Sequence, residues 1–85
     1  MVSPLIVVGI YELLDIAGLV APCHLRPHYG NPLARLEADL RIDAAKRARL
    51  LAEIRERVGL FRHLTPSTLT AAVTVADVAA LLGRR

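Results

Sequence analysis

A single cysteine, Cys23, is all the thiol chemistry this 85-residue chain carries. No internal disulfide can staple it, and a reducing, cytoplasmic setting is the expectation. Tryptophan is absent, and two tyrosines with one phenylalanine hold the aromatic share to 4%. A core must therefore come from Leu, Val, Ile and Ala, a composition that favours helices. The scarcity of aromatics also removes the stacking platforms that single-stranded nucleic acid requires. No Gly-rich phosphate loop is present, and no positive n-region precedes an apolar run, so no secretory signal is expected. The stretch from Val2 to Ala21 is apolar enough to raise a membrane question, but Glu12 and Asp15 interrupt it. An Asp at bilayer depth costs about 2.5 kcal/mol or more, so a buried helix and no membrane contact are expected.

What is present is an apolar share of 54%, which argues against disorder. The length suits one domain spanning residues 1–85 with one modest core. The formal charge of +3 fits a solvated basic surface, since no groove-reading motif accompanies it and no nucleic-acid partner is expected.

Ser3-Pro4 reads as a helix start, with Ser as cap and Pro at the first position. A first helix is expected from Leu5 to about Val20. The β-branched run Ile6-Val7-Val8 makes a strand the rival there. Pro22, Pro27, Gly30 and Pro32 punctuate the next segment, so residues 21–40 read as a long ordered loop through which no helix runs. Loops of that length inside a small domain are uncommon and often functional. Asp43 can cap a second helix running to about Val58 and ending at Gly59, with Ala48, Leu51, Ile54 and Val58 as its apolar stripe and Leu50 widening it. Arg49, Glu53 and Arg57 are spaced four apart on another face. Thr65-Pro66 opens a short third helix through Leu69. Thr74 and Asp77 have capping-box spacing at the head of a fourth, Val75 to Leu82, with Val75, Val78, Ala79 and Leu82 on one stripe and Gly83 as its stop. The fold class is all-α: a bundle of three main helices plus one short one, with a long loop between helices 1 and 2.

Residues 36 to 47, Leu-Glu-Ala-Asp-Leu-Arg-Ile-Asp-Ala-Ala-Lys-Arg, resemble the prosthetic-group attachment motif of acyl carrier proteins. The closest form is that of polyketide and polyunsaturated-fatty-acid synthase carriers, which run roughly Leu-Glu-Ala-Asp-Leu-Gly-Ile-Asp-Ser-Ile-Lys-Arg. The resemblance is strongest from Leu36 to Leu82 and rests on pattern alone before Leu36. It implies a non-catalytic carrier fold, monomeric as an isolated domain, whose serine holds 4'-phosphopantetheine at the start of the second helix. Free N–H groups and the positive helix end suit a phosphodiester there. The matching position here is Ala44, which has no nucleophile, so no cofactor is expected in this form.

The resemblance further implies that Asp43 supports the helix start and that Ala45, Lys46, Arg47 and Leu50 contribute to a docking surface. Its implied partners are a phosphopantetheinyl transferase and the ketosynthase, acyltransferase and reductase domains of a synthase. Arg41 stands where the family has Gly, Ala45 where it has a large aliphatic, and Arg49 where it has an acid. An engineered Ser→Ala change and a natural pseudo-carrier kept for docking or scaffolding both fit this pattern. Residues 43–58 hold Lys46, Arg47, Arg49, Arg55 and Arg57 against Asp43, Glu53 and Glu56, an excess of cations that predicts an acidic or apolar partner surface.

The remaining candidates are weaker. Cys23, His24 and His28, with only His63 able to join them, fit no standard zinc spacing, and ordinary loop residues are the expectation. Cys23 and His24 as a nucleophilic pair lack an orienting acid. Tyr11 and Tyr29 read as packing residues, and Arg84-Arg85 as a frayed end or simply the terminus. A small basic helical DNA binder is the lesser functional alternative, opposed by the long proline-rich loop where a helix-turn-helix needs a short turn.

Overall fold

The computed structural model of the chain describes residues 3–83. Helices α1 (Pro4–Ile16), α2 (Pro22–Leu25), α3 (Ala44–Arg57), α4 (Pro66–Ala71) and α5 (Val75–Gly83) succeed one another, with a 3₁₀ turn at Arg26–His28 after α2. No strand occurs among the described residues. The all-α bundle expected from composition and periodicity is the architecture observed. Arg84-Arg85, expected as a frayed end, and Met1-Val2 lie outside the described residues.

Helix α1 begins where Ser3-Pro4 places it, but the Ser3 hydroxyl makes no cap bond; Pro4 at the first position supplies the start. The helix covers Ile6-Val7-Val8, so the rival strand is not formed. It ends four residues earlier than expected. Gly18 takes a φ of 67°, its N–H bonds Asp15, and Leu19 N–H bonds the Leu14 carbonyl. This Schellman arrangement turns Leu19 back onto the core beside Leu14. Val7, Ile10, Tyr11 and Leu14 form the buried stripe of α1, while Glu12 and Asp15 face solvent.

The segment expected to be a helix-free loop contains α2 and the 3₁₀ turn. Each has a proline in its first turn, Pro22 at the start of α2 and Pro27 second in the 3₁₀ turn, because a proline that cannot continue a helix can still occupy its first turn. Beyond them the chain is fastened to the α4–α5 junction by backbone bonds. Leu36 N–H donates to Val73, Val75 N–H to Ala34 and Ala76 N–H to Pro32, around an isolated antiparallel bridge between Arg35 and Thr74. Ala34, Leu36, Leu40 and Ile42 are buried.

The start signals of the last three helices operate as read, while α4 runs on to Ala71 and α5 includes Gly83, which was expected to stop it. The Asp43 carboxylate accepts from Lys46 N–H at 2.9 Å. Thr65 and Thr68 form a reciprocal capping box at α4. Asp77 accepts from the N–H groups of Val73 and Thr74 at 2.9 and 3.0 Å, and its own N–H reaches the Thr74 hydroxyl. The two backbone bonds are the main cause holding the Asp77 carboxyl below its ordinary pKa. The α3 stripe is rotated from the expected one. Leu50, Leu51 and Ile54 are buried, whereas Ala48 is exposed and Val58 is 63% exposed. The inward positions are 47, 50, 51 and 54, so the stripe begins on an arginine.

Candidate functional site

The loop-to-helix junction at Ile42–Arg47 has a defined geometry. Ile42 is buried and plugs the loop into the core, its N–H bonded to the Leu36 carbonyl at 2.8 Å. Arg41 before it takes a φ of 60°, the one non-glycine residue with positive φ among those described. This left-handed turn reverses the chain so that Asp43 arrives extended at the N-cap. Ala44 is then the first residue of α3, exposed, with exposed Ala45 beside it. The N–H groups of such first-turn residues have no acceptor within the helix. Lys46 is half-buried, and its ammonium donates to the Arg41 carbonyl at 3.3 Å, bracing the turn from the helix side.

Ala44 therefore presents a methyl group at an accessible, electropositive helix end. Of the other residues expected to contribute to docking, Ala45 is exposed and Lys46 partly so. Leu50 is a correction: it is wholly buried, because the helix turns positions 50, 51 and 54 inward. Arg47 is half-buried and its guanidinium is engaged within the fold. One nitrogen, Nη1, donates to the carbonyls of Leu69, Thr70 and Ala72 at 3.0, 2.7 and 2.8 Å. These carbonyls lie at the end of α4 and just beyond it, where a cation is favoured; that of Leu69 also accepts from Ala72 N–H at 3.2 Å. Sequence reading missed this clamp. Its signal was present in the 47-50-51-54 spacing, which puts Arg47 on the line of the buried leucines rather than on the solvent face.

The exposed face of α3 consists of Ala45, Ala48, Arg49, Ala52, Arg55 and Glu56. Arg57 is paired with Glu53. The free cations on this face are thus Arg49 and Arg55, set along a flat row of alanines.

The weaker candidates do not assemble. No cluster of three or more metal-ligating side chains exists among the described residues, and Cys23 is exposed with a free thiol. Tyr11 is a packing residue as expected. It is fully buried, its hydroxyl donates to the Asn31 carbonyl at 2.6 Å, and its ring meets Tyr29 at 5.2 Å between centroids. Tyr29 covers it from outside and is 47% exposed. Burial, with a smaller push from the Asp39 charge, raises the Tyr11 pKa from 10.0 to about 12. No helix among the described residues is long and apolar enough to cross a membrane.

The position that matches the carrier serine cannot form a phosphodiester with 4'-phosphopantetheine. The attachment position offers a methyl, and the Thr70 hydroxyl in α4 is committed to the Pro66 carbonyl at 2.7 Å. Searches of protein-family models, curated proteins and solved structures return no match to this chain.

Proposed function

We propose that this chain is an acyl-carrier-type domain of a polyketide- or fatty-acid-type synthase whose attachment position is closed by Ala44. It has no catalytic role of its own. In a serine form, position 44 would tether acyl intermediates through phosphopantetheine and deliver them to ketosynthase, acyltransferase and reductase partners.

The observation that carries this reading is the backbone at Arg41. The carrier motif has glycine at that position, and the chain adopts φ 60° there, a conformation costly for any residue but glycine. A motif resemblance read from side chains thus coincides with an independent backbone property. The helix order, the long anchored loop and the exposed first residue of α3 are consistent with it.

The test is the Ala44→Ser protein incubated with coenzyme A and a broad-specificity phosphopantetheinyl transferase. Mass spectrometry is expected to show addition of one phosphopantetheinyl group to the variant and none to the wild type carried through the same reaction. Absence of that gain in a folded variant would refute a lapsed carrier.

A second reading, a natural pseudo-carrier used for docking or scaffolding, is favoured by a specific observation. Arg41 replaces glycine against its steric preference, and Arg49 lies free on the exposed face of α3. A Ser→Ala exchange alone accounts for neither. Under this reading the α3 face binds an acidic partner surface, and the complex weakens as salt is added. Strengthening with salt would exclude electrostatic attraction.

A further inference from the structure

Opposite its buried stripe, helix α1 exposes a face that is largely apolar. Leu5, Val8, Glu12 and Ile16 recur every three or four residues, so they share one stripe. Leu5 is 83% and Ile16 67% exposed, with Val8 exposed between them. Single apolar residues scattered on a surface are ordinary, whereas a contiguous strip marks a contact. The charged residues of α1 are Glu12 and Asp15, both acidic and both exposed. The outward face is therefore apolar and anionic, with no cation of its own helix to balance it.

Helix α3 carries the counterpart. Its outward positions 45, 48, 52 and 56 repeat the spacing of 5, 8, 12 and 16, with alanine at the first three. Where α1 raises long apolar side chains, α3 is low. Its free cations, Arg49 and Arg55, flank the alanines. The two helices match in length, 13 and 14 residues, and they are neighbours in the bundle.

We infer that the α1 face is covered by a second copy of this chain. Leu5, Val8 and Ile16 lie on the alanines of the other copy's α3, and Glu12 and Asp15 meet its two free arginines. Each copy carries both faces on adjoining helices, so the contact is made twice and the pair closes with two-fold symmetry. A helix of 13 residues is about 20 Å long and about 10 Å wide. Two such faces give a footprint on the order of 400 Å² per copy, about half that of a standard interface. The dimer is accordingly weak and reversible, with a dissociation constant on the order of 100 μM. This departs from the monomer that the carrier resemblance implies. It names the acidic partner of the docking reading and rests on that reading for the use of the α3 face.

Sedimentation equilibrium across roughly 10 μM to 1 mM protein at low salt is expected to show the mass rising from one chain towards two, and added salt to reverse the rise. Arg49→Glu with Arg55→Glu, and separately Glu12→Arg with Asp15→Arg, should each weaken self-association at least about tenfold by setting like charges together. An equimolar mixture of these two variants should associate again, because each then meets its opposite. All four positions are exposed, so circular dichroism should report an intact fold. Should either double variant fail to fold, Leu5→Asp takes its place: an acid is favourable in a helix's first turn, yet the apolar contact is lost and a monomer should result. A wild type that stays one chain at every concentration overturns the inference. A polyglutamate titration then separates the two levels: binding abolished by Arg49→Glu with Arg55→Glu keeps the docking reading, and no binding ends both. A mixture of folded variants that stays monomeric, or a dimer unmoved by Leu5→Asp, overturns the inference as well.

Discussion

Replacing Arg47 with Met should cost about 3 kcal/mol of stability, far beyond what an ordinary surface arginine contributes. The magnitude comes from the contacts. Nη1 faces three carbonyl oxygens at 3.0, 2.7 and 2.8 Å but has only two hydrogens, so the three oxygens share two bonds. A hydrogen bond to a charged group contributes about 1.5–3 kcal/mol, and the end of a helix adds about 0.3–1 kcal/mol for a nearby cation. Half-burial of Arg47 and the solvent access of Thr70 place each contribution at its lower end. The Leu69 carbonyl keeps its bond from Ala72 N–H, but Ala72 is buried, so its carbonyl regains water poorly once the guanidinium is gone. Met keeps the apolar stem packed, which isolates the polar loss. Against a total stability of about 5–15 kcal/mol, the loss is visible in urea denaturation tracked by helical circular dichroism: the midpoint falls and the m-value stays constant. Arg47→Lys should retain only part of the clamp: an ammonium has a hydrogen for each of the three oxygens, but the lysine stem is shorter than the reach of Arg47 Nη1. An Arg47→Met protein within about 0.5 kcal/mol of wild type would refute the clamp and return Arg47 to the docking surface.

Arg41→Gly should raise stability by about 0.5–1 kcal/mol, the relief of a left-handed residue less the larger unfolded-state entropy of glycine; a thermal midpoint below wild type would contradict the strain at that turn. Tyr11 has a folded pKa above its unfolded value, so its contribution is complete below pH 10 and is lost as pH rises towards about 12. Denaturant midpoints measured across roughly pH 9–12 should fall in wild type and flatten in that window for Tyr11→Phe. Asp77 has the opposite sign. Its folded pKa is depressed, so its contribution is present above the ordinary carboxylate pKa and lost as pH falls through the folded value. Asp77→Asn should therefore be less acid-sensitive than wild type below about pH 4, and equal sensitivity would show that the α5 cap is not the group titrating.

Local capping chemistry is the part of the fold most legible in the chain. Asp43, Thr65-Pro66 and the Thr74–Asp77 pair each act on N–H groups within three or four residues, so sequence spacing alone determines whether they can bond. The boundaries that escape a sequence reading depend on tertiary packing. Leu19 and Val20 prolong the apolar run of α1 without belonging to it, because Gly18 reverses the chain and delivers both to the core by another route. Pro22 and Pro27 look like breakers when counted as prolines, yet each sits in the first turn of a helical segment. The α3 stripe differs from the expected one because charge alone places Arg47 in solvent; the carbonyls that draw it inward belong to a helix more than twenty residues away. At the candidate site, the motif makes position 44 and the Asp43 cap legible. The partners of Lys46 and Arg47 are not, since both are backbone oxygens whose positions only the folded chain defines.

The attachment-type turn is held by groups that do not include the side chain of residue 44. Leu36, Leu40 and Ile42 are buried, the loop backbone is tied to the α4–α5 junction, and Asp43 closes the helix end through Lys46 N–H. The methyl of Ala44 is exposed and alanine is favourable in a helix, so exchanging serine for alanine costs the fold almost nothing. Persistence of this geometry therefore says nothing about whether the position is ever loaded. Arg41 is more discriminating. Its φ of 60° carries a steric cost that glycine would not, and no hydrogen bond from its guanidinium within the described residues offsets that cost. Under the docking reading, a cation held at that corner against backbone preference is expected where the turn is kept for what it touches. Under the proposed reading, loading and docking are separable: the first would require one oxygen atom at position 44, and the second would rest on Arg41 and Arg49.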